Sequence, residues 1–206
     1  PTGLQTSLTA YANLVVRSNN DAYGKMAVAG CGTNSKVEGF GFLPINCFGM
    51  ALATFISQNL GAKQYDRAKK GARFGILCSI SLAEVIGICI YIFAPVLIGA
   101  FNNDPQVVAY GVAQAHTITL FYFLLACSHC LAAICRGAGR SIVPMLVMLL
   151  CWCIIRVSYI TIIVHFIPKI EMIFWAYPLT WSLSTLIFII YYFKSDWVHA
   201  YEKKNS

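Results

Sequence analysis

Charge is scarce in this sequence. Only 11% of the 206 residues are Asp, Glu, Lys or Arg, while 58% are hydrophobic. Soluble domains carry about 25% and roughly 45–50%. A water-soluble fold could not hide that much apolar surface, so lipid is the solvent for most of the chain. A secreted disulfide framework is also missing. Cys31, Cys47, Cys78, Cys89, Cys127, Cys130, Cys135, Cys151 and Cys153 all fall within apolar runs and read as small buried side chains. No nucleophile–base pair, phosphate loop or paired catalytic carboxylates occurs in a workable context, which argues against an enzyme. Gly137-x-Gly139 has no following lysine or strand and reads as a tight turn. No internal repeat, low-complexity segment or signal peptide stands out. With Pro1 as its opening residue, the chain reads as a fragment of a longer protein.

What the chain does have is long apolar runs. Phe40 to Ile56 has no charged residue, and Phe74 to Phe101 has only Glu84. About 20 such residues cover the hydrocarbon core of a bilayer as a helix. Six runs follow in order: Gly3 to Val16, Met26 to Gln58, Phe74 to Phe101, a fourth ending at Cys135, Ile142 to Phe166, and Ile173 to Phe193. The second is too long for one straight span. Gly30, Gly32, Gly39, Gly41 and Pro44 punctuate it, which predicts a kinked or broken helix. Ser18 to Gly24 reads as an outer turn, and Asp104-Pro105 as an N-cap followed by a first-turn proline. Trp175, Tyr177, Trp181, Tyr191, Tyr192 and Trp197 cluster toward the ends of the last run, as interfacial aromatics do.

The formal net charge is +7, but its placement argues against nucleic acid. Lys63, Arg67, Lys69, Lys70, Arg73, Arg136, Arg140, Lys194, Lys203 and Lys204 occupy every second inter-run segment or the tail. Arg17, Lys25 and Lys169 occupy the alternate ones, while Lys36 and Arg156 lie inside runs. That is a positive-inside distribution. It places both ends of residues 1–193, a six-helix lobe, in the cytoplasm, with 194–206 as a basic cytoplasmic tail.

Several local patterns resemble one family. Thr54-x-x-Ser57-Gln58-Asn59-x-Gly61-Ala62-Lys63 with Arg67-Ala68-Lys69-Lys70-Gly71 is similar to a loop of the multidrug and toxic compound extrusion (MATE) transporters. It matches the loop between the second and third helices of their C-terminal half. Asn19-Asn20-x-x-x-Gly24, Phe101-x-x-Asp104-Pro105, Arg136-Gly137-x-Gly139-x-Ser141-x-x-Pro144 and Trp175-Ala176-x-Pro178 resemble further turns and the last helix, in the right order. The resemblance implies an all-α six-transmembrane-helix bundle, one lobe of a twelve-helix antiporter of the plasma membrane, completed by an N-terminal lobe. It further implies export of bulky cationic or amphipathic compounds in exchange for Na⁺ or H⁺, with no tightly bound cofactor.

Few residues carry candidate chemistry. Glu84 lies about 10 residues into its run, roughly 15 Å deep, where a charge needs a partner, water or a proton. It serves either ion exchange or an internal structural pair. Arg156 lies at a matching depth and reads as a structural intramembrane charge, with Glu84 as one conceivable partner. Glu38 shares a stripe with Phe42, Ile45 and Asn46, an acid beside an aromatic and an amide that suits a lipophilic cation; the alternative is an acid reaching to the interface. Lys36 lies about 200° from Glu38 and points elsewhere. Asn13, Gln5 and Asn20 are polar groups on or just after the first run, which lines the cavity in the family. Cys127-Ser128-His129-Cys130 imitates a metal motif, but its histidine leaves the cysteine face. His116 reads as a helix–helix hydrogen-bonding residue.

Two other functions stay open. A lipid-linked oligosaccharide or polysaccharide flippase of the same superfamily would need several cavity-facing Arg or Lys residues, for which only Arg17, Lys36 and Arg156 are candidates. A purely structural membrane subunit would not need midplane charges.

Overall fold

A computed structural model describes residues 2–21 and 23–198; the side chains of residues 2, 4–6 and 20 lie outside the description. Helix α1 (Thr2–Asp21) is followed by α2 (Lys25–Gly61) and α3 (Tyr65–Gly99). The fourth span is α4 (Pro105–Ile118) and α5 (Tyr122–Gly137), joined by a 3₁₀ turn at Thr119–Phe121. The fifth is α6 (Ile142–Met148), a π-helical stretch Leu149–Ile155 and α7 (Arg156–Phe166), and α8 (Ile170–Lys194) is the sixth. No strand occurs among the described residues. The five spans after α1 are each long and apolar enough to cross a bilayer.

The fourth span is the axis of the bundle. Its most apolar stretch is 72% buried, against 22% for α3. On α3, Phe74, Leu77, Ile92 and Val96 are exposed, which in lipid is the expected state of an outer face. Between helices in lipid the hydrophobic effect gives little, so close backbone approach does the work. Glycines permit it. A Cβ on Gly30 would lie 2.5 Å from the Val107 carbonyl oxygen, and one on Gly87 2.4 Å from that of Thr119.

The local signals at helix ends hold. Asp104 Oδ1 accepts from the Gln106 N–H at 2.8 Å, and Pro105 occupies the first turn of α4. After α5, the Gly139 N–H donates to Arg136 and the Arg140 N–H to Cys135, with Gly139 at φ +77° closing the turn.

Three expectations need correction. Residues 18–21 are not a turn: α1 runs through Asp21, and Tyr23–Gly24 precede α2. The basic stretch from Gln58 to Arg73, similar in sequence to a loop, is mostly helical, since α2 ends at Gly61 and α3 begins at Tyr65. The third concerns the second run, expected to be kinked or broken: it is not broken. It is one helix of 37 residues with Pro44 inside it, and Pro95 and Pro178 also sit within continuous helices. Gly30 and Gly41 pack against neighbouring helices instead of opening the backbone.

Irregular backbone appears in the fourth and fifth spans, where no proline marks it. The Thr119 hydroxyl donates to the Ala115 carbonyl at 2.8 Å, a bond that bends helices. Leu149–Ile155 adds a residue to each turn and so re-aims the side chains around it.

Past α8 the chain turns back on the bundle. Trp197 and Val198 are buried, and Trp197 stacks on Tyr192 at 5.4 Å between ring centroids. Residues 199–206, including Lys203 and Lys204, lie outside the described residues.

Candidate functional site

A cavity of about 800 Å³ opens on one side of the bundle. It draws Asn13 and Arg17 from α1, Lys36, Glu38, Phe42 and Asn46 from α2, and Gln114 from α4. Leu125 and His129 of α5, Trp152 of the π stretch, Arg156, and Tyr177 and Trp181 of α8 complete its inner wall. Aromatic faces and a few polar groups make the wall amphipathic, as in small-molecule sites.

Glu38 is 7% exposed, and its Oε1 has no hydrogen-bond partner. One turn before it stands Asn34, fully buried on the same stripe. Phe42, one turn after, stacks on Tyr122 at 5.9 Å. The expected stripe of acid, aromatic and amide therefore exists and faces the cavity.

Arg156 lines the same cavity at 2% exposure. One of its terminal nitrogens donates to Thr180 Oγ1 at 2.8 Å. Its guanidinium carbon lies 4.6 Å from the Tyr177 ring centroid and 5.4 Å from that of Trp152. Glu38 and Arg156 are within electrostatic reach of each other, yet no direct ion pair joins them among the described residues. Lys36, expected to point away from Glu38, reaches the same cavity instead, its Nζ 5.8 Å from the Phe101 ring centroid.

The sequence-derived candidates are thus partly assembled. Asn13, Glu38, Phe42 and Asn46 share the cavity, and Gln5 lies among the undescribed side chains. Glu84 is not on this wall. Its carboxylate faces the backbone of Phe123, the second residue of α5 and the usual recipient of an N-cap acceptor. Pairing of Glu84 with Arg156 is corrected accordingly: the acid that Arg156 senses is Glu38. An acid at the start of a half-helix satisfies freed N–H groups and favours the helix dipole. Glu84→Ala is expected to lower thermal stability by about 1 kcal/mol, a typical cap loss, while Glu84→Gln keeps most of it. Thermal unfolding of the full-length protein in detergent measures both.

Two aromatics also move. Tyr177 and Trp181, read as interfacial, face the cavity, whereas Trp175 stays 46% exposed. Trp152 and Gln114 were not singled out at all. The π stretch that aims Trp152 inward has no local sequence signal. Cys127, Cys130 and His129 form no metal cluster with other groups among the described residues. His129 tilts against Trp152 at 5.5 Å between ring centroids.

Comparison with known proteins agrees with this architecture. The family model MatE matches residues 1–162. The chain is 26% identical over 195 residues to a probable multidrug resistance protein of Bacillus subtilis, covering 93% of this chain and 42% of that one. It is 27% identical over 142 residues to a probable multidrug resistance protein of Thermotoga maritima, covering 69% and 30%. Among solved structures, an outward-facing multidrug resistance MATE family transporter superposes with a TM-score of 0.87 at 15% identity, over 98% of this chain and 46% of its own. The chain thus spans less than half the length of these relatives. The family's members are transporters and not enzymes, and the six-helix bundle described above is a multi-pass membrane protein that belongs to the MatE family.

Proposed function

We propose that this chain forms one lobe of a secondary active efflux antiporter, which exports bulky cationic or amphipathic compounds in exchange for Na⁺ or H⁺. The observation that carries the reading is the buried carboxylate of Glu38 on the wall of an aromatic cavity, its Oε1 without a hydrogen-bond partner among the described residues. A proton, Na⁺ or the cationic group of a substrate can each neutralise it, but not together, and such competition is the thermodynamic core of exchange. An N-terminal lobe of the same protein closes the other side of the cavity, and the two rock against each other around it. The full-length protein in proteoliposomes tests this: an inward Na⁺ or H⁺ gradient should expel ethidium, and dissipating the gradient should stop it.

The lobe sits in the plasma membrane with both ends cytoplasmic, the basic α2–α3 corner inside. A cysteine at Lys69 should resist a membrane-impermeant maleimide added to intact cells, and one at Lys25 should react. Labelling of position 69 from outside contradicts this topology.

A second reading has one observation in its favour. Arg17, Lys36 and Arg156 all line the cavity, so cavity cations no longer count against a flippase for lipid-linked oligosaccharides. Ion-independent movement of a lipid-linked sugar by the same proteoliposomes would favour it.

A further inference from the structure

We infer that the cavity contains a second recognition site, for the acidic group of an aromatic compound, centred on Arg156, and that a ligand bound there joins the coupling cation on Glu38 instead of displacing it. This rests on the cavity being the transport site. It names a ligand class of opposite charge to the one Glu38 alone suits, one that binds with the coupling cation and so is not exchanged for it.

Arg156 is the starting point. A guanidinium keeps its proton in proteins, so a buried one needs an anionic or carbonyl partner. Here one terminal nitrogen is satisfied by the Thr180 hydroxyl, whose own proton goes to the backbone of α8. Nε is buried without a hydrogen-bond partner. Tyr177 and Trp152 cover the guanidinium at 4.6 and 5.4 Å, which orients its donors and supplies rings for a planar ligand to stack on. A carboxylate, sulfonate or phosphate fits that donor fork in bidentate fashion. Arg17 and Lys36, which line the same cavity, add attraction for an incoming anion.

The coupling follows from charge. An ionised Glu38 partly compensates Arg156 and repels an anion beside it. A proton or Na⁺ on Glu38 removes that repulsion, and by reciprocity a bound anion strengthens cation binding at Glu38. A cationic ligand has the opposite linkage, because it competes for the same carboxylate. The groups facing Glu38 are Cys31 and Asn34 on α2, Tyr122 of α5, Arg156 of α7 and Tyr177 of α8. Arg17, Lys36 and His129 share the cavity. His129 is a second group of a type that titrates near neutrality, so the test needs a Glu38 variant.

The experiment uses the full-length transporter in phosphatidylcholine nanodiscs. Binding of 1-anilinonaphthalene-8-sulfonate and of ethidium is followed by fluorescence as pH falls from mildly basic to mildly acidic. Acidification should tighten the sulfonate and weaken ethidium. Arg156→Gln should weaken the sulfonate about tenfold or more, the scale of a lost charged hydrogen bond, and tighten ethidium because a repelling charge has gone. Should Arg156→Gln fail to fold, Glu38→Gln decides: it should tighten the sulfonate at neutral pH and flatten the pH dependence of both probes. Unchanged sulfonate affinity in whichever variant folds, or weakening of both probes together on acidification, overturns the inference. Nanodiscs containing phosphatidic acid separate two sources of the same chemistry. Loss of sulfonate binding there assigns the site to lipid phosphate, and retained binding to soluble anions. Failure of the antiport reading looks different, since the binding pattern would persist while the gradient failed to expel ethidium.

Discussion

Glu38→Gln in the full-length transporter is expected to cut gradient-driven efflux of cationic compounds about tenfold or more, with expression and thermal stability close to those of the unaltered protein. The substitution keeps the shape and an acceptor oxygen but removes the one acidic charge among the described residues of this cavity wall. A charged group at membrane depth costs about 2.5–3.5 kcal/mol, so a neutral amide should not harm folding. What it removes is differential binding: the variant can no longer exchange a cation for a cationic substrate at one carboxylate. Efflux at the original rate, with its Na⁺ or pH dependence intact, would reduce Glu38 to a bystander. Loss of the protein itself would show that the acid holds the bundle together through Arg156.

Gly87→Val is expected to have a comparably large effect on folding. Gly87 of α3 faces the 3₁₀ turn of the fourth span, and a Cβ there would stand 2.4 Å from the Thr119 carbonyl oxygen and 3.4 Å from the Tyr122 Cβ. Backbone cannot rotate away as a flexible side chain can, so the helices must separate. Overpacking of this kind costs about 1–3 kcal/mol, and more where the obstacle is rigid. Separation would also disturb the contact between Glu84 and the start of α5, so loss of folded protein is the expected outcome. Gly39→Ala is the control, because nothing lies within 4 Å of its added Cβ; it should be neutral or stabilise slightly, as alanine favours helix. Fluorescence-detected size-exclusion chromatography before and after heating reads both. A Gly87→Val protein as stable as Gly39→Ala would show that α3 does not depend on this approach.

Much of the architecture was legible because the bilayer imposes a one-dimensional rule. Runs free of charge must be helices, since lipid offers backbone groups no other partner. For the same reason the Asp104-Pro105 cap and the Gly139 turn were readable: each uses bonds within a few residues. The stripe of Glu38, Phe42 and Asn46 was readable because helical periodicity is local too.

The pairing of charges was not readable in this way. Glu84 and Arg156 lie at similar depth, but depth is a property of one chain segment, and adjacency depends on how six helices are arranged around the fourth. That arrangement turned Glu84 toward Phe123 and brought Arg156 to the cavity that Glu38 lines. The irregular backbone was not readable for a related reason. Pro44 lies inside a helix that is not broken, while the 3₁₀ and π segments contain neither proline nor glycine. Composition and periodicity alone established a membrane helix bundle, because both follow from local chemistry against a uniform solvent. Only the tertiary structure decided which polar groups share the cavity, because that is set by glycine-mediated contacts and helix rotations between residues far apart in the chain.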